Sequence, residues 1–296
     1  MSDEIKRNVS LNGLPTFGNF ENNDHEPDRE LQELKPEMVL GRKYTLERQS
    51  GQGGMGVVWK AYDTVGEHPV ALKFVPKDIR HKDAAMHQVK ETFNIIRKLN
   101  HEHICPVHAL EKDEKFGYYV VMTWLEGVTL DMQLREWQKV NQTPFPETLS
   151  ILRPVAKALD HAHKQGVIHR DIKPSNIFLC RNKETNQLEA VWVIDFGLAA
   201  EIHRTISIVT NKRMQVSGTR PYMAPEQWQG LPTQNAQTDL YALGVVAYEM
   251  YSGNLPFYNP DIELFKSCVL KTPVRPIPGV SDTVNAALQK ALAKNS

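Results

Sequence analysis

The sequence predicts an α+β protein with two lobes, a small β-rich lobe followed by a larger, mainly α-helical one. Over residues 44–75, β-branched and aromatic residues are frequent and turns at 51–56 and 65–67 separate them, which is typical of consecutive strands. Beyond Gly127 the pattern is mainly helical, and over 149–164 the apolar residues recur with helical spacing. A chain of 296 residues is long enough to give two such lobes a sizeable core.

The individual elements follow from the same patterns. Residues 1–35 are rich in asparagine and charge and offer little to bury, so they predict a disordered extension with one short helix around Leu31 and Leu34. After the strands of the first lobe, the sequence predicts a helix near 84–99, short strands near 105–110 and 118–122, and later helices over 149–164, 240–251 and 284–293.

The amino-acid composition indicates which binding partners and which cellular compartment to expect. Basic and acidic residues both number 35, so there is no positive surplus for binding a nucleic-acid backbone. The cysteines Cys105, Cys180 and Cys268 lie far apart and are odd in number, as in a reduced intracellular protein. The N-terminus lacks the apolar core of a signal peptide, and the most apolar helical stretch, 240–251, is too short to span a bilayer. We expect a cytoplasmic chain with no membrane span and no nucleic-acid partner.

A glycine-rich segment begins the first lobe. Gly51, Gly53 and Gly56 read G-x-G-x-x-G, a spacing that lets backbone amides approach phosphate oxygens but that occurs in several unrelated folds. A dinucleotide-binding unit needs a helix after the third glycine, whereas the residues after Gly56 favour a strand, and no Gly-Lys-Ser/Thr of a Walker loop follows. The segment therefore predicts a hairpin that can cover phosphates. Lys73 lies on the strand 70–75 that follows, where a phosphate contact is favoured over a solvated edge position.

Three further motifs follow in order along the chain. They are His169-Arg-Asp-Ile-Lys-Pro-Ser-Asn176, then Asp195-Phe-Gly197 after a predicted strand, and Ala224-Pro-Glu226. Together with the glycine hairpin and Lys73, this set resembles the signature of protein kinases. Residues 44–294 are similar to the catalytic domain of bacterial-type, eukaryotic-like Ser/Thr protein kinases, which implies a bilobal protein-kinase-like fold with an N-lobe at 44–122, a hinge at 123–127 and a C-lobe at 128–294.

The resemblance implies a role for each polar residue of these motifs. Asn176 and Asp195 would bind Mg²⁺ through oxygen atoms, which suit a hard cation, and Lys73 would hold the α- and β-phosphates of ATP. Asp171 would accept or orient the proton of the acceptor hydroxyl. Lys173 would neutralise the γ-phosphate during transfer, and a lysine at this place indicates Ser/Thr acceptors on protein substrates. ATP and Mg²⁺ are thus the expected cofactors.

The resemblance also implies where the nucleotide lies. Val58 and Ala71 would cover the adenine from above and Phe178 from below. Met122 would be the gatekeeper residue, followed by backbone hydrogen bonds from Thr123 and Leu125. The glycine hairpin would supply the remaining contacts, from Ser50, Gly51, Gln52, Gly53, Gly54, Met55, Gly56 and Val57.

One histidine-rich segment suggests a metal site instead. His101, His103, Cys105 and His108 lie within eight residues, and such side chains bind zinc. However, the kinase family has a similar histidine-containing turn here, and no second ligand cluster follows at a familiar spacing. We therefore expect a turn and no zinc.

The chain departs from the family pattern in three places. The helix before His101 normally carries a glutamate that pairs with the strand lysine, but that position holds Thr92, and Glu91 is about 100° around a helix from it. Either the helix shifts its register or Lys73 lacks its usual partner. Arg220 stands where proline is usual, which bears on what the substrate groove prefers. The sequence ends at Ser296, before the arginine that usually pairs with Glu226, so we expect an incomplete C-lobe and further domains beyond Ser296 in a longer parent.

Two alternatives to an active protein kinase remain open at this point. Thr92, in place of the usual glutamate, favours a pseudokinase, which is a nucleotide-binding scaffold with the same fold. The complete set of catalytic residues opposes this alternative. A small-molecule phosphotransferase is disfavoured by the Ala224-Pro-Glu226 motif. In the kinases that the chain resembles, the arginine before the catalytic aspartate holds a phosphorylated residue, so Arg170 and the hydroxyl-rich segment after Asp195 predict regulation by phosphorylation at Thr205, Ser207 or Thr210.

Overall fold

The computed structural model describes residues 28, 30–53, 56–140, 147–196, 220–231 and 234–294. The predicted two-lobed α+β architecture is confirmed. The first lobe contains a six-stranded antiparallel sheet, whose strands are β1 (Val39–Leu40), β2 (Tyr44–Gly53), β3 (Gly56–Asp63), β4 (His68–Phe74), β5 (Val107–Asp113) and β6 (Gly117–Thr123). Their order in the sheet is β1-β2-β3-β4-β6-β5.

Two helices connect β4 to β5, a short α1 (Lys77–Arg80) and the longer α2 (Asp83–Ile96). The apolar residues of α2 recur three and four positions apart and form one buried face, which consists of Ala85, Met86, Val89, Phe93 and Ile96. After α2 the chain docks on the second lobe, where the backbone N–H of Cys105 donates to the oxygen of Val193 at 3.0 Å and the N–H of Val193 donates to that of His103 at 2.8 Å. The C-terminal end of α2 is therefore fixed next to the second lobe.

The predicted disordered extension, residues 1–35, is too long, because its last residues pack on the first lobe. Leu31–Glu33 form a 3-10 turn, as the predicted short helix suggests, and both Leu31 and Leu34 are buried against the first lobe. Polar contacts reinforce this packing, because Asp28 and Glu30 both bind the guanidinium of Arg80. The rest of the predicted extension, residues 1–27, lies outside the described residues. The folded lobe thus begins before residue 44.

The second lobe is mainly helical, as predicted. Its described helices are α3 (Leu130–Lys139), α4 (Thr148–Lys164), α5 (Pro225–Gln229), α6 (Ala236–Ser252), α7 (Ile262–Lys271) and α8 (Asp282–Ala291). The core lies where α4 packs against α6, with Ile151, Val155, Leu159, Val245 and Met250 almost fully buried.

A small antiparallel sheet in this lobe was only partly predicted. It consists of β7 (Val128–Thr129), β8 (Ile177–Arg181) and β9 (Leu188–Val193) in that order. The strand β7 has two residues, too few to show a period, and a prediction based on apolar spacing misses it. Gly127 allows the hinge to meet this sheet, because a Cβ at this position would lie only 2.1 Å from the carbonyl oxygen of Leu179.

Candidate active site

The segment 169–176 crosses between α4 and β8 and is held from below by one buried carboxylate. Asp239 on α6 is fully buried, and its oxygens accept hydrogen bonds from the backbone N–H groups of His169 at 2.8 Å and Arg170 at 2.7 Å. The Nε2 atom of His163 lies 2.7 Å from the same carboxylate. Arg170 itself has a φ of +67°, a conformation that non-glycine residues rarely adopt. The contacts of Asp239 hold this strained backbone in place.

Sequence reasoning missed Asp239. The predicted helix began at residue 240, and an aspartate just before an apolar helical run is usually taken as a helix cap. In the structure Asn235 caps α6, with its side chain accepting from the N–H of Gln237 at 2.9 Å. Asp239 is therefore inside the helix and free for another role. Its helical spacing from the apolar Ala242 and Val246, three and seven residues further on, is the signal that could have identified Asp239 as part of the buried face.

Three residues of the segment 169–176 meet at the carboxylate of Asp171. Its Oδ2 atom lies 3.0 Å from the Nζ of Lys173 and accepts a hydrogen bond of 3.1 Å from the amide nitrogen of Asn176. The same nitrogen also donates to the backbone oxygen of Asp171 at 2.7 Å. All three side chains are buried. The structure thus brings together the predicted catalytic aspartate, lysine and asparagine.

The strand lysine and the second aspartate form a direct ion pair. The Nζ of Lys73, on β4, lies 2.6 Å from the Oδ2 of Asp195, and their side chains are only 6% and 13% exposed. Asp195 follows β9 with a φ of +63°. Just before it, the N–H of Ile194 donates to the backbone oxygen of Asn176 at 3.0 Å. Lys73 and Asp195 therefore belong to the same site as the residues around Asp171.

The oxygen atoms of this site fit a Mg²⁺ ion. Asn176 uses its amide nitrogen for Asp171, which leaves its amide oxygen as the atom that a cation would contact. The carboxylate of Asp195 is a second oxygen donor, and Lys73 is its partner in the structure. Oxygen ligands of this kind, supplied by one or two carboxylates together with substrate phosphates, are what Mg²⁺ prefers.

The structure also shows where Glu91 lies. Its side chain is 56% exposed, and its carboxylate accepts from the amide of Gln88 at 3.1 Å and lies 3.7 Å from Nδ1 of His87. The helix has therefore not shifted its register to bring Glu91 to Lys73, one of the two possibilities that the sequence left open. Thr92, in the position predicted to face the site, is half-buried.

The predicted adenine-contacting residues of the first lobe share one face of its sheet. Val58 is paired directly with Lys73, and Ala71 with Met122. Directly paired residues point to the same side, as do residues two apart on one strand, so these four side chains lie on a single face. Phe178 lies on β8 close to Gly127, at the edge of the second lobe.

The hinge follows β6, and the glycine segment lies between β2 and β3. Thr123 ends β6, with its N–H donating to the oxygen of Pro106 at 3.1 Å, and Leu125 follows half-buried. The glycine segment is a hairpin of β2 and β3, in which Gly51 is paired with Val58 and Gln52 with Val57. Gly54 and Met55, at its tip, lie outside the described residues.

The histidine-rich segment forms a turn whose side chains have separate partners. The rings of His101 and His161 lie 5.0 Å apart and are tilted by 37°, His108 lies 2.9 Å from the hydroxyl of Thr123, and Cys105 is buried below the hinge. Burial raises the pKa of the Cys105 thiol to about 12. Within the part of the chain that the structure describes, no three histidine, cysteine or acidic side chains are grouped as metal ligands.

A second buried carboxylate of α6, that of Glu249, lies next to the segment that contains Arg220. The 3-10 turn Arg220–Tyr222 brings the hydroxyl of Tyr222 to Glu249 on α6, to which it donates at 2.7 Å. Burial, with a smaller contribution from the nearby Asp131, raises the pKa of Glu249 to about 7, while the hydrogen bond from Tyr222 opposes this shift. Glu226 is likewise paired, through the hydroxyl of Thr238 at 2.6 Å.

Comparison with known proteins identifies the domain. The family model described as the protein kinase domain matches residues 44–294. The chain is 32% identical over 271 residues to the serine/threonine-protein kinase PrkC of Bacillus subtilis, a match that covers 87% of this chain and 39% of PrkC. It is also 31% identical over 263 residues to the serine/threonine-protein kinase PknE of Mycobacterium tuberculosis, covering 85% of this chain and 43% of PknE.

A probable serine/threonine-protein kinase of Clostridium acetobutylicum is 32% identical over 219 residues, covering 74% of this chain and 31% of that protein. The chain thus spans about a third to two fifths of the length of these relatives. Among the described helices, none is long and apolar enough to cross a membrane. The match over residues 44–294 shows that this chain belongs to the protein kinase family, with a catalytic domain of the bacterial serine/threonine kinase type.

Proposed function

We propose that the chain transfers the γ-phosphate of ATP, in a Mg²⁺-dependent reaction, to serine or threonine hydroxyls of protein substrates. The observation that carries this proposal is the carboxylate of Asp171, which is buried beside Lys173 and Asn176. Phosphoryl transfer places little covalent chemistry on the protein and depends on positioned charges. A fixed carboxylate beside a fixed ammonium group is such an arrangement.

Each residue has a role that its position supports. Asp171 orients the acceptor hydroxyl and accepts its proton, while Lys173, 3.0 Å away, neutralises phosphate charge. Asn176 and Asp195 offer oxygen atoms to Mg²⁺, which when bound neutralises charge on the phosphate oxygens. Lys73, on the sheet face shared with Val58 and Ala71, holds the phosphates below the glycine hairpin.

A transfer assay tests this proposal directly. Purified protein is incubated with γ-labelled ATP and Mg²⁺, with a generic basic protein as acceptor, and the label is located by phosphoamino-acid analysis. We expect label on serine or threonine, and none when Mg²⁺ is removed by chelation. A protein that binds nucleotide but transfers no label would instead be a pseudokinase, for which the retained Asp171, Asn176 and Asp195 give no support.

Arg170 suggests how the activity is regulated. Its Nε atom is buried and has no hydrogen-bond partner among the described residues, and its backbone is fixed by Asp239. The segment 197–219, with the candidate sites Thr205, Ser207 and Thr210, lies outside the described residues. A phosphate there adds about −1.5 to −2 charge that an arginine can pair with.

We therefore expect mass spectrometry of active protein to find phosphate on at least one of these three residues. Phosphatase treatment and Arg170→Ala should each lower activity, because both remove the same charge pair. Full activity in a phosphate-free sample would show that the segment is not switched in this way.

A further inference from the structure

Lys73 depends on one carboxylate in this structure. Its Nζ lies 2.6 Å from the Oδ2 of Asp195, and both side chains are almost completely shielded from solvent. In the described part of the chain, no other acidic side chain is in salt-bridge contact with Lys73. Because a buried cation needs a partner, Asp195 alone neutralises Lys73 within the described structure.

The proposed function requires the carboxylate of Asp195 to bind Mg²⁺ as well. If Asp195 binds Mg²⁺, the ion must attract the same carboxylate that now holds Lys73 through its Oδ2 atom. Two cations cannot each have the full interaction with one carboxylate, since charges in a site of low dielectric interact strongly. Binding of Mg²⁺ and nucleotide must therefore weaken the contact between Lys73 and Asp195 while Lys73 turns to the phosphates.

The neighbouring helix has an uncharged residue where a second carboxylate would fit. Thr92 on α2 is three residues after Val89 and four before Ile96, both of which are buried, so the three residues share a face of the helix. Ile96 lines the same small cavity as Asp195. Thr92 therefore lies on the side of α2 that faces the ion pair, whereas the exposed Glu91 does not.

We propose that the uncharged Thr92 makes Asp195 the shared partner of Lys73 and Mg²⁺, so that metal binding competes with the lysine and the site needs more Mg²⁺ than one with a carboxylate at position 92. This inference rests on the proposed function for its metal-binding part only. The part that concerns Lys73 and position 92 can be tested without nucleotide or metal.

The first test measures thermal stability of the protein without nucleotide. Thr92→Glu and its uncharged match Thr92→Gln are compared in the wild-type background and together with Lys73→Met. With Lys73 present, we expect Thr92→Glu to melt at or above Thr92→Gln, because the new carboxylate gains a partner. With Lys73→Met, it should melt several degrees below Thr92→Gln, because the carboxylate is then unpaired. Equal differences in the two backgrounds would overturn the inference.

The second test titrates Mg²⁺ against binding of a non-hydrolysable ATP analogue, followed by calorimetry. Thr92→Glu should lower the Mg²⁺ concentration at half-saturation about 3- to 10-fold, on the order of 1 kcal/mol, while Thr92→Gln and Glu91→Gln leave it unchanged. An unchanged midpoint in Thr92→Glu would refute the competition. If the wild-type protein binds no analogue at any Mg²⁺ concentration, the proposed function fails, and the stability comparison still decides the Lys73 pairing.

A variant that fails to fold does not remove the test. Should Thr92→Glu not fold, the direct cycle of Lys73→Met and Asp195→Asn in the nucleotide-free protein replaces it. We expect the double variant to be more stable than the sum of the two single losses predicts, since each single change leaves one buried charge unpaired. Additive losses would contradict the assignment of Asp195 as the partner of Lys73.

Discussion

The ion pairs between the N-terminal segment and Arg80 can be tested by their effect on stability. Arg80, at the end of α1, is 1% exposed, and its guanidinium is bound by Asp28 and by Glu30, which is 47% exposed. The double variant Asp28→Asn with Glu30→Gln keeps the size of both side chains and removes their charges. Among the described residues, it leaves the guanidinium of Arg80 buried without an ionic partner.

The expected loss follows from this geometry. Removing the partner of a buried charge costs about 3–5 kcal/mol when both groups are buried, and the exposure of Glu30 reduces its share. Arg80 cannot move to solvent easily, because its side chain packs against Gly117, where even a Cβ would lie 2.4 Å from the Cδ of Arg80. We therefore expect a loss of about 3 kcal/mol, which lowers the melting temperature of a domain of this size by roughly 6–12 °C.

The assay is thermal unfolding of the double variant, followed by circular dichroism beside a matched control. Glu33→Gln removes another acidic charge from the same segment, but its partner Lys115 is exposed, so little change is expected. A double variant that melts within 1–2 °C of the wild type, or no lower than Glu33→Gln, would show that the segment does not stabilise the lobe through Arg80.

Other predictions address the site and the second buried carboxylate. Asp171→Asn should abolish phosphoryl transfer and keep nucleotide affinity, whereas Asp195→Asn should also weaken Mg²⁺–nucleotide binding; near wild-type transfer by either variant would contradict these roles. Glu249 is a carboxyl group whose pKa burial raises from 4.5 to about 7, so between these values the folded state keeps a proton that the unfolded state loses. The contribution of Glu249 to the stability of the wild type should then fall by about 3 kcal/mol as the pH rises through this window. Glu249→Gln should remove this fall, and a difference in melting temperature between variant and wild type that stays constant from pH 5 to pH 8 would refute the argument.

The parts of the site that could be predicted from the sequence are those fixed by short-range order. Asp171, Lys173 and Asn176 lie within six residues of each other, and the chain needs only one loop to bring them together. The pairing of Val58 with Lys73 likewise follows from adjacent strands joined by a hairpin, since neighbouring strands with a short connection pair in most folds. Local order therefore accounts for the group around Asp171, whereas Lys73 and Asp195, which are 122 residues apart, were expected in one site only from the resemblance to protein kinases.

The features that the sequence did not predict depend on contacts between distant residues. Leu31 and Leu34 are expected only in a short helix of a polar extension, and only the surface of the folded lobe gives them a place to be buried. Asp239 is 70 residues from His169, and its role exists only because α6 packs against the segment before Asp171. The spacing of apolar residues along the chain carries no information about such a contact.

For Thr92, the sequence and the structure are needed together. The sequence identifies the question, because Glu91 and Thr92 are neighbours and a one-residue change of helix phase would exchange their directions. The burial of Val89, Phe93 and Ile96 determines which of the two residues faces Lys73. Their common face sets the phase of α2 and leaves Glu91 in solvent. To bring Glu91 to Lys73, the helix would have to rotate by about 100° and expose part of this apolar face, at about 25 cal/mol for each Å². Pairing with the buried Lys73 would also desolvate the carboxylate of Glu91, and in the observed helix phase Lys73 pairs with Asp195.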